Sequence, residues 1–262
     1  MKSVMDAPRL PSLFTLVELD TVDSTNAEAR RRAEQGAEEA PEGTLVWAAE
    51  QTAGRGRRGR TWVSPKGNFY ASIILRPDVP LRDAAQFGFV ASLAVFDAIG
   101  SLAQPGTEAH TKWPNDVLIS GRKVAGILLE AQGAASADAQ PDFVIVGVGV
   151  NLRSFPEDVE FPATCMLDEG TAVLVPEFLE SFGRHFLAWT RIWVDEGFER
   201  LRKNWLWRCD QVGKEVDVRL ANETLTGIFK DLDDSGALIL ETSSGLRTIT
   251  AGDVFFPQSR DA

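Results

Sequence analysis

Short apolar runs with strand composition recur in the first third of the chain, and one helical pattern lies between them. Strands are predicted at 14–19 (FTLVEL), 44–51 (TLVWAAEQ) and 68–75 (NFYASIIL). Residues 23–36 (DSTNAEARRRAEQG) predict a short helix, because Thr25 and Glu28 have capping-box spacing and Gly36 is a stop signal. This part of the chain therefore combines strands with one short helix.

The middle of the chain predicts a long helix, a hairpin and a further strand. Residues 81–103 have helical length and a broad apolar surface, so we expect a well-buried helix. Residues 116–132 predict a β-hairpin in which Gly121 supplies the tight turn. Residues 143–152 (FVIVGVGVNL) predict an almost continuously apolar strand that ends on an asparagine.

The C-terminal part changes from a helical to a β pattern. Aromatic residues recur at helical spacing over 176–207, which predicts two packed helices separated near Gly197. Residues 212–256 contain short strands at regular intervals, separated by the turn sequences DDSG and TSSG, which predicts a small β-barrel. We therefore predict two domains, formed by residues 1–210 and 211–262.

Composition is that of a soluble globular protein. Hydrophobic residues make up 44% and charged residues 25% of the 262 positions, so a sizeable core is expected. Cys165 and Cys209 have no C-x-x-C spacing, which favours reduced thiols in a cytoplasmic protein. No N-terminal run suits a signal peptide, and we expect no segment of membrane-spanning length.

Positive charge is concentrated in one segment of an acidic chain. The formal net charge is −11, yet residues 51–67 contain five basic side chains and no acidic one. The rest of the chain is therefore even more acidic and would repel a phosphate polymer over most of its surface. General nucleic-acid binding is disfavoured, and one small anionic ligand at one basic loop is expected instead.

The basic segment differs from a P-loop in two respects. Gly54–Thr61 matches that pattern except that Arg60 occupies the lysine position. Pro65 and Gly67 precede a β-rich run, so no helix can follow the loop to present its N-terminus to a phosphate. We expect a loop that is mobile when empty and becomes ordered over an anion; a solvated, flexible surface loop is the alternative.

Five motifs occur in order along the chain. They are DSTN (23–26), EQTAGRGRRGRTW (50–62), KWPND (112–116), GRKVAGILLE (121–130) and VGVGVNL (146–152). Together they resemble the bacterial biotin protein ligases, in the form that lacks the N-terminal DNA-binding domain. The strong motifs run from about Val17 to Leu152, and the resemblance continues into the C-terminal barrel. Barely twenty residues precede the first motif, so we expect an enzyme that binds no operator DNA.

The resemblance implies a fold and an activity. The fold would be α+β: a mixed β-sheet with helices on one side (class II aminoacyl-tRNA-synthetase-like, the biotin–lipoate ligase fold) and a small C-terminal Src-homology-3-like β-barrel. The activity would be ATP-dependent formation of biotinyl-5′-AMP, with Mg²⁺, followed by transfer of biotin to one lysine of a biotin carboxyl carrier protein. We expect a monomer or homodimer with no membrane partner.

The resemblance also assigns catalytic residues. Arg57 and Arg60 would hold the α-phosphate and the departing pyrophosphate, since forked guanidinium groups fit phosphate geometry. Lys123 would contact the biotin carboxylate and the phosphate oxygen that joins it, where an ammonium reduces the repulsion between the two acids. A lysine beside a turn is otherwise usually solvated, so its role depends on the surrounding motif.

Biotin-binding residues follow from the same resemblance. They are Ser24, Thr25, Asn26, Gln51, Gly54, Arg55, Gly56, Arg57, Lys123, Gly147 and Gly149. Ser24, Thr25 and Asn26 begin a helix, where such side chains also serve as caps, so Thr25 could cap while Ser24 contacts the ligand. Gly147 and Gly149 permit close approach of a ligand, and packing within the sheet explains them equally well.

The nucleotide is assigned a second set of residues. They are Arg57, Arg60, Trp62, Lys112, Asn115, Asp116 and Asn151. Trp62 would offer a face to adenine, although a tryptophan in a strand is commonly a core residue. Asn115 and Asp116 could hold Mg²⁺ through water or bind ribose; the ligands of the metal remain unassigned, with Asp116 as the one candidate.

The sequence is also compatible with two other functions. One is a lipoate- or octanoate-type ligase or acyltransferase on the related fold, which a biotin-dependent exchange of pyrophosphate into ATP would distinguish. The other is a non-catalytic protein that binds nucleotides or RNA through the arginine-glycine loop. Salt-sensitive RNA retention without adenylate formation would support it, while the acidity of the remaining chain argues against it.

Overall fold

A mixed β-sheet forms the larger part of the computed structural model, which describes residues 8–157, 159 and 161–256. Its strands within these residues are β1 Thr15–Val22, β2 Thr44–Gln51, β3 Phe69–Leu75, β4 Ala109–Lys112, β5 Asp116–Ile119, β6 Arg122–Gln132 and β7 Phe143–Val150. Their spatial order is β1-β2-β3-β7-β6-β5-β4, with β1 and β2 parallel and the other pairs antiparallel. The predicted mixed sheet is confirmed; β4 was not predicted.

The long helices cover one face of this sheet. The helices are α1 Thr25–Ala33, α2 Leu81–Ala84, α3 Phe87–Leu102, α4 Val175–Glu196 and α5 Phe198–Trp207. Alternate side chains of β7 separate the two faces: Val144 and Val146 join the core formed with α3, α4 and α5, whereas Ile145 packs with Ala29 and Ala33 of α1. The long helices therefore lie on one side as predicted, and the short α1 is the exception on the other.

The predicted helix at 81–103 is divided into α2 and α3. Leu81–Leu102 is nevertheless long and apolar enough to cross a membrane by length and composition, so the expectation that no segment reaches that length is wrong. Most of its apolar window is buried within the protein. A helix enclosed by a sheet on one side and α4 on another must be apolar almost all round, which explains the composition.

The start of α1 differs from the predicted capping box. Ser24, not Thr25, is the N-cap residue, and its side chain makes no capping bond. The Glu28 carboxylate bonds to Arg31 and Arg32 instead of reaching back to the helix N-terminus. Since the Thr25 hydroxyl lies 3.1 Å from Gln51 Oε1, tertiary contacts replace local capping here.

A five-stranded antiparallel sheet follows α5. Its strands are β8 Glu215–Arg219, β9 Thr224–Leu232, β10 Leu238–Thr242, β11 Gly245–Ile249 and β12 Asp253–Phe255, in the order β11-β10-β9-β8-β12. This confirms the predicted small barrel of Src-homology-3 type. Trp113 donates its indole N–H to the carbonyl of Gly236 at 3.0 Å, so the KWPND segment is bonded to the barrel. The division into domains at 210 and 211 stays a prediction.

The buried thiol of Cys209 should make the free energy of unfolding depend on pH. Burial raises the pKa of its thiol from 9.0 to about 12. The unfolded thiol ionises near pH 9 while the folded one stays protonated, so the free energy of unfolding falls as pH rises from 9 towards 12. At pH 10 the loss is on the order of 1 kcal/mol relative to pH 8. Urea unfolding of wild type and Cys209→Ala should show a shallower pH dependence in the variant; parallel curves would contradict the assignment.

Candidate active site

A cavity of about 360 Å³ lies on the sheet face that carries α1. Its floor includes Gly126 and Leu128 of β6 and Gly147 and Gly149 of β7, which point to this face because side chains alternate along a strand. The volume lies within the usual range for small-ligand sites. Every predicted site residue lines this cavity except Gly54 and Lys112.

The two glycines of β7 leave room for protein side chains. A Cβ at Gly149 would lie 2.6 Å from the Trp62 indole, and one at Gly147 would overlap the amide of Asn26. Trp62 and Asn26 can therefore lie flat against the sheet and form walls of the cavity. The sequence analysis explained the two glycines by close approach of a ligand or by packing within the sheet. Neither explanation included protein side chains lying over them.

A hydrogen-bond network joins the start of α1 to β2 and β3. The backbone N–H of Thr25 donates to Gln51 Oε1 at 2.8 Å, and Gln51 Nε2 donates to the Ser64 hydroxyl at 2.9 Å. Ser72 Oγ lies 2.8 Å from Thr25 Oγ1 and 2.6 Å from Asn26 Oδ1. The side chains of this network are polar and neutral, which suits a neutral ligand group with both donors and acceptors.

The arginine loop forms a narrow hairpin at the cavity rim. Arg55 pairs with Thr61 in an antiparallel bridge, and Arg58 with φ 55° and Gly59 with φ 73° make the turn. Strand β3 follows the loop, which confirms that it is no P-loop. Gly54 lies at the base of the hairpin, where a Cβ would overlap the carbonyl oxygen of Trp62. Its lack of a side chain is required by the hairpin itself.

The barrel contributes a carboxylate that the sequence did not predict. Asp253 Oδ2 lies 2.8 Å from Arg60 Nη2 and 3.1 Å from Arg58 Nη1, and Asp253 lines the cavity. Phe161 also lines it and lies under the guanidinium of Arg60, 5.3 Å from ring centroid to Cζ. No local signal marks Asp253, since 193 residues separate it from Arg60.

Arg57 lies deeper in the cavity than the other arginines of the loop. Its Nη1 donates to Asn115 Oδ1 at 3.0 Å, and Asn115 Nδ2 donates to the carbonyl of Ile127 at 2.6 Å. Burial lowers the pKa of the Arg57 guanidinium. A partly desolvated cation of this kind gains more from an anionic ligand than a solvated one would.

Lys123 and Asp116 form an ion pair at the centre of the site. Lys123 Nζ lies 2.7 Å from Asp116 Oδ1 and 5.4 Å from the centroid of the Trp62 ring. Both carboxylates of the cavity, Asp116 and Asp253, are therefore paired with cations, and the described residues contain no cluster of three or more potential metal ligands. These residues do not form a protein-only magnesium site.

Two predicted nucleotide residues have other contacts. Lys112 lies behind the cavity wall, with its Nζ 5.3 Å and 5.4 Å from the ring centroids of Phe161 and Phe255, and burial lowers its pKa. Asn151 lines the cavity, but its Nδ2 donates to the carbonyl of Thr164 at 3.0 Å. The second N–H of the Asn151 amide and its oxygen are left to bond to a ligand.

The cavity combines cations at one end with a polar, uncharged network at the other. Arg55, Arg57, Arg60 and Lys123 outnumber the acidic lining residues, although the chain as a whole is acidic. The apolar side chain of Leu128, to which the sequence analysis gave no role, and the indole of Trp62 also line the cavity. This arrangement fits an elongated ligand with a neutral polar head, an apolar middle and an anionic end.

Gly149→Ala tests whether the cavity requires a position without a side chain on β7. The added Cβ would meet the Trp62 indole at 2.6 Å, so we expect the free energy of unfolding to fall by about 1–3 kcal/mol in urea titrations. Gly88→Ala is the matched control, because nothing lies within 4 Å of its Cβ and alanine favours the helix. Equal effects of the two changes would contradict this packing.

Comparison with known proteins agrees with this geometry. A model of the biotin/lipoate A/B protein ligase family matches residues 10–207, and one of the biotin protein ligase C-terminal domain matches residues 212–256. The biotin–[acetyl-CoA-carboxylase] ligase of Paracoccus denitrificans is 42% identical over 91% of this chain and 99% of its own length. The enzyme of the same name from Mycobacterium tuberculosis is 36% identical over 90% of this chain and 88% of its own length.

A solved structure supports the same assignment. The biotin protein ligase from Aquifex aeolicus, in complex with biotin and ATP, is 28% identical and superposes with a TM-score of 0.75, covering 92% of this chain and 97% of that one. The similarity thus extends over the sheet, the helices and the C-terminal barrel. The family suggested by the five motifs is confirmed, and the chain belongs to the biotin/lipoate A/B protein ligase family.

Proposed function

We propose that this chain activates biotin with ATP to give biotinyl-5′-AMP and transfers the biotinyl group to a lysine of a biotin carboxyl carrier protein. One observation carries the proposal: a single cavity joins a neutral hydrogen-bond network to a cluster of cations that includes Lys123. Biotin has a neutral ureido ring at one end and a carboxylate at the other. Its two ends therefore match the two ends of the cavity.

The first step brings two anions together. A carboxylate oxygen of biotin forms a bond to the α-phosphorus of ATP, the bond from that phosphorus to the bridging oxygen breaks, and pyrophosphate leaves. Lys123 contacts the carboxylate and an α-phosphate oxygen, while Arg57 and Arg60 stabilise the charge that develops on the phosphates. Lys123 and Arg60 must then exchange Asp116 and Asp253 for ligand oxygens.

The second step transfers the acyl group. The neutral amine of the carrier lysine attacks the acyl carbon, the amide forms with loss of a proton, and AMP leaves with the electrons of the mixed anhydride bond. Lys123 polarises the acyl carbonyl during the attack. We assign Trp62 and Asn151 to adenine. Mg²⁺ would neutralise charge on the phosphates, and Asp116 is the candidate residue that would hold it.

The head of the substrate distinguishes biotin from lipoate. Gln51, Thr25 and Asn26 are bonded in a network that offers polar atoms to the cavity. A ureido ring can donate to and accept from such atoms, whereas a dithiolane ring has no N–H or carbonyl group that could do so. Both cysteines are free and buried, which agrees with the cytoplasmic location that we propose.

The direct test supplies labelled biotin, Mg-ATP and a carrier domain to the purified chain. We expect biotin-dependent exchange of pyrophosphate into ATP and covalent label on the carrier. Lipoate and octanoate in place of biotin provide the comparison. Exchange that depends on lipoate but not on biotin would support the lipoate-ligase alternative, and binding of nucleotide or RNA without exchange would support a non-catalytic role.

Lys123→Ala tests the central cation. Loss of the ammonium between carboxylate and phosphate should reduce the exchange rate by about 100- to 1,000-fold. Lys203→Ala is the control, because Lys203 is exposed on α5 and pairs with Glu199 on the surface; its rate should equal that of wild type. A Lys123→Ala enzyme with the wild-type rate would remove Lys123 from the mechanism.

Ligand protection tests the predicted ordering of the loop. Four arginines within Gly54–Thr61 are sites for trypsin. The loop should be cleaved readily in the free protein and resist cleavage when biotin and Mg-ATP are both present, since closure over the adenylate would exclude water. The same rate of cleavage in both states, measured by mass spectrometry of the fragments, would contradict loop closure.

A further inference from the structure

Lys123 reaches the cavity because strand β6 contains a β-bulge. Val117 of β5 pairs with Ala125, but the next residue, Leu118, pairs with Lys123, so β6 has one extra residue, Val124, at this point. With strict alternation, Lys123 would point to the same face as Ala125, which belongs to the core formed with the long helices. The extra residue brings Lys123 to the cavity face instead.

Residues 162–164, which follow β7 in the chain, hold the backbone at this bulge. The backbone N–H of Lys123 donates to the carbonyl of Pro162 at 2.8 Å, and the N–H of Thr164 donates to the carbonyl of Lys123 at 3.0 Å. Lys123 and Ala163 thereby form a parallel bridge. A bulge interrupts the regular ladder between strands, so its geometry depends on bonds of this kind.

Glu169 connects residues 162–164 to the hairpin of β5 and β6. Its Oε1 accepts hydrogen bonds from the Thr164 hydroxyl at 2.7 Å and from Arg122 Nη2 at 2.7 Å. Its Oε2 accepts a hydrogen bond from the Ser120 hydroxyl at 3.1 Å. The Glu169 side chain is 12% exposed. One carboxylate therefore joins the residue before Lys123 to a residue that bonds to the carbonyl of Lys123.

We propose that Glu169 is a positioning residue for Lys123. By fixing residues 162–164 against the bulge, it holds the ammonium where the substrate carboxylate enters. This inference rests on the proposed function for the role of Lys123 and for the identity of that carboxylate. Without Glu169, Thr164 and Arg122 lose their shared acceptor and the bulge loses a support. A change of register by one residue moves a side chain to the other face of a sheet, so Lys123 would turn away from the cavity.

Glu169→Ala is the test, with two probes that differ only at the carboxylate. The probes are biotin and its alcohol analogue, in which CH₂OH replaces the carboxylate, and dissociation constants are measured by calorimetry without ATP. Wild type should bind biotin about 10- to 100-fold more tightly than the alcohol, and Lys123→Met should lose about tenfold of this preference. Glu169→Ala should lose about threefold or more, because a displaced ammonium forms a weaker hydrogen bond, and its affinity for the alcohol should not change.

Two further variants separate positioning from charge and from general stability. Glu169→Gln keeps an oxygen that can accept from both Thr164 and Arg122, so its preference for biotin should equal that of wild type. Glu169→Ala combined with Lys123→Met should show the same preference as Lys123→Met alone, because the residue that Glu169 positions is then already neutral.

Asp97→Ala is the matched control. Asp97 also accepts bonds from an arginine and from a neutral donor, Arg208 Nη2 at 3.2 Å and Trp189 Nε1 at 2.7 Å, but these contacts lie among the helices. Loss of this carboxylate should lower the free energy of unfolding and leave the preference for biotin unchanged.

Amide hydrogen exchange of the free protein tests the link from Glu169 to the backbone. In Glu169→Ala, the N–H groups of Lys123 and Thr164 should exchange about tenfold faster than in wild type, since their bonds lose the support of the carboxylate. Unchanged exchange at both positions would overturn the proposal.

The binding outcomes are distinct. The proposal is overturned if wild type does not prefer biotin, if Glu169→Ala keeps the wild-type preference or weakens both probes equally, if Asp97→Ala reduces the preference as much, or if Glu169→Ala still reduces it in the Lys123→Met background. Binding is measured without turnover. A wild-type protein that prefers biotin but releases no pyrophosphate with Mg-ATP would therefore reject the proposed chemistry while the role of Glu169 stands.

Discussion

Mutual repulsion among the cations of one small cavity is the constraint on which the rest of the site depends. Arg57, Arg60 and Lys123 converge there, and two carboxylates from different parts of the fold balance them. Asp116 comes from the hairpin of β5 and β6, and Asp253 comes from the barrel. In the proposed reaction, substrate anions replace both carboxylates as partners of these cations.

The alternation of side chains along the central strands explains how one sheet provides both a core and a site. One face of β7 carries valines that pack against the long helices. The other face carries Ile145 next to α1 and then two glycines. Because the two glycines have no side chains, this part of the strand leaves space for Asn26 and Trp62 and, above them, for a ligand. The fold is thus stabilised and the site is formed by the same strand.

The sequence predicted most of the fold because strands and helices have local signals. Strand β2 and the hairpin of β5 and β6 agree with the predicted positions, and Gly197 separates α4 from α5 with φ 74°. The predicted cap at Thr25 was wrong because distant groups, Gln51 and Ser72, bond to its hydroxyl. Local spacing contains no information about such partners.

The candidate site was predicted from motifs, and the parts that lack motifs were missed. Asp253 reaches the arginine loop only because the barrel folds back onto the sheet. Phe161 lines the cavity and has no sequence signal beyond hydrophobicity. Lys112 belongs to a motif, yet it stacks between two rings behind the cavity. Motif membership indicates proximity to a site, and the contacts of each side chain determine its role.

The exchange of internal carboxylates for substrate anions is tested most directly by a crystal structure of this chain with biotin and a non-hydrolysable ATP analogue. Lys123 is expected to leave Asp116 for the biotin carboxylate and the α-phosphate, and Arg60 to leave Asp253 for the phosphates. A ligand-bound structure in which both ion pairs persist at their present distances of 2.7 Å and 2.8 Å would contradict it.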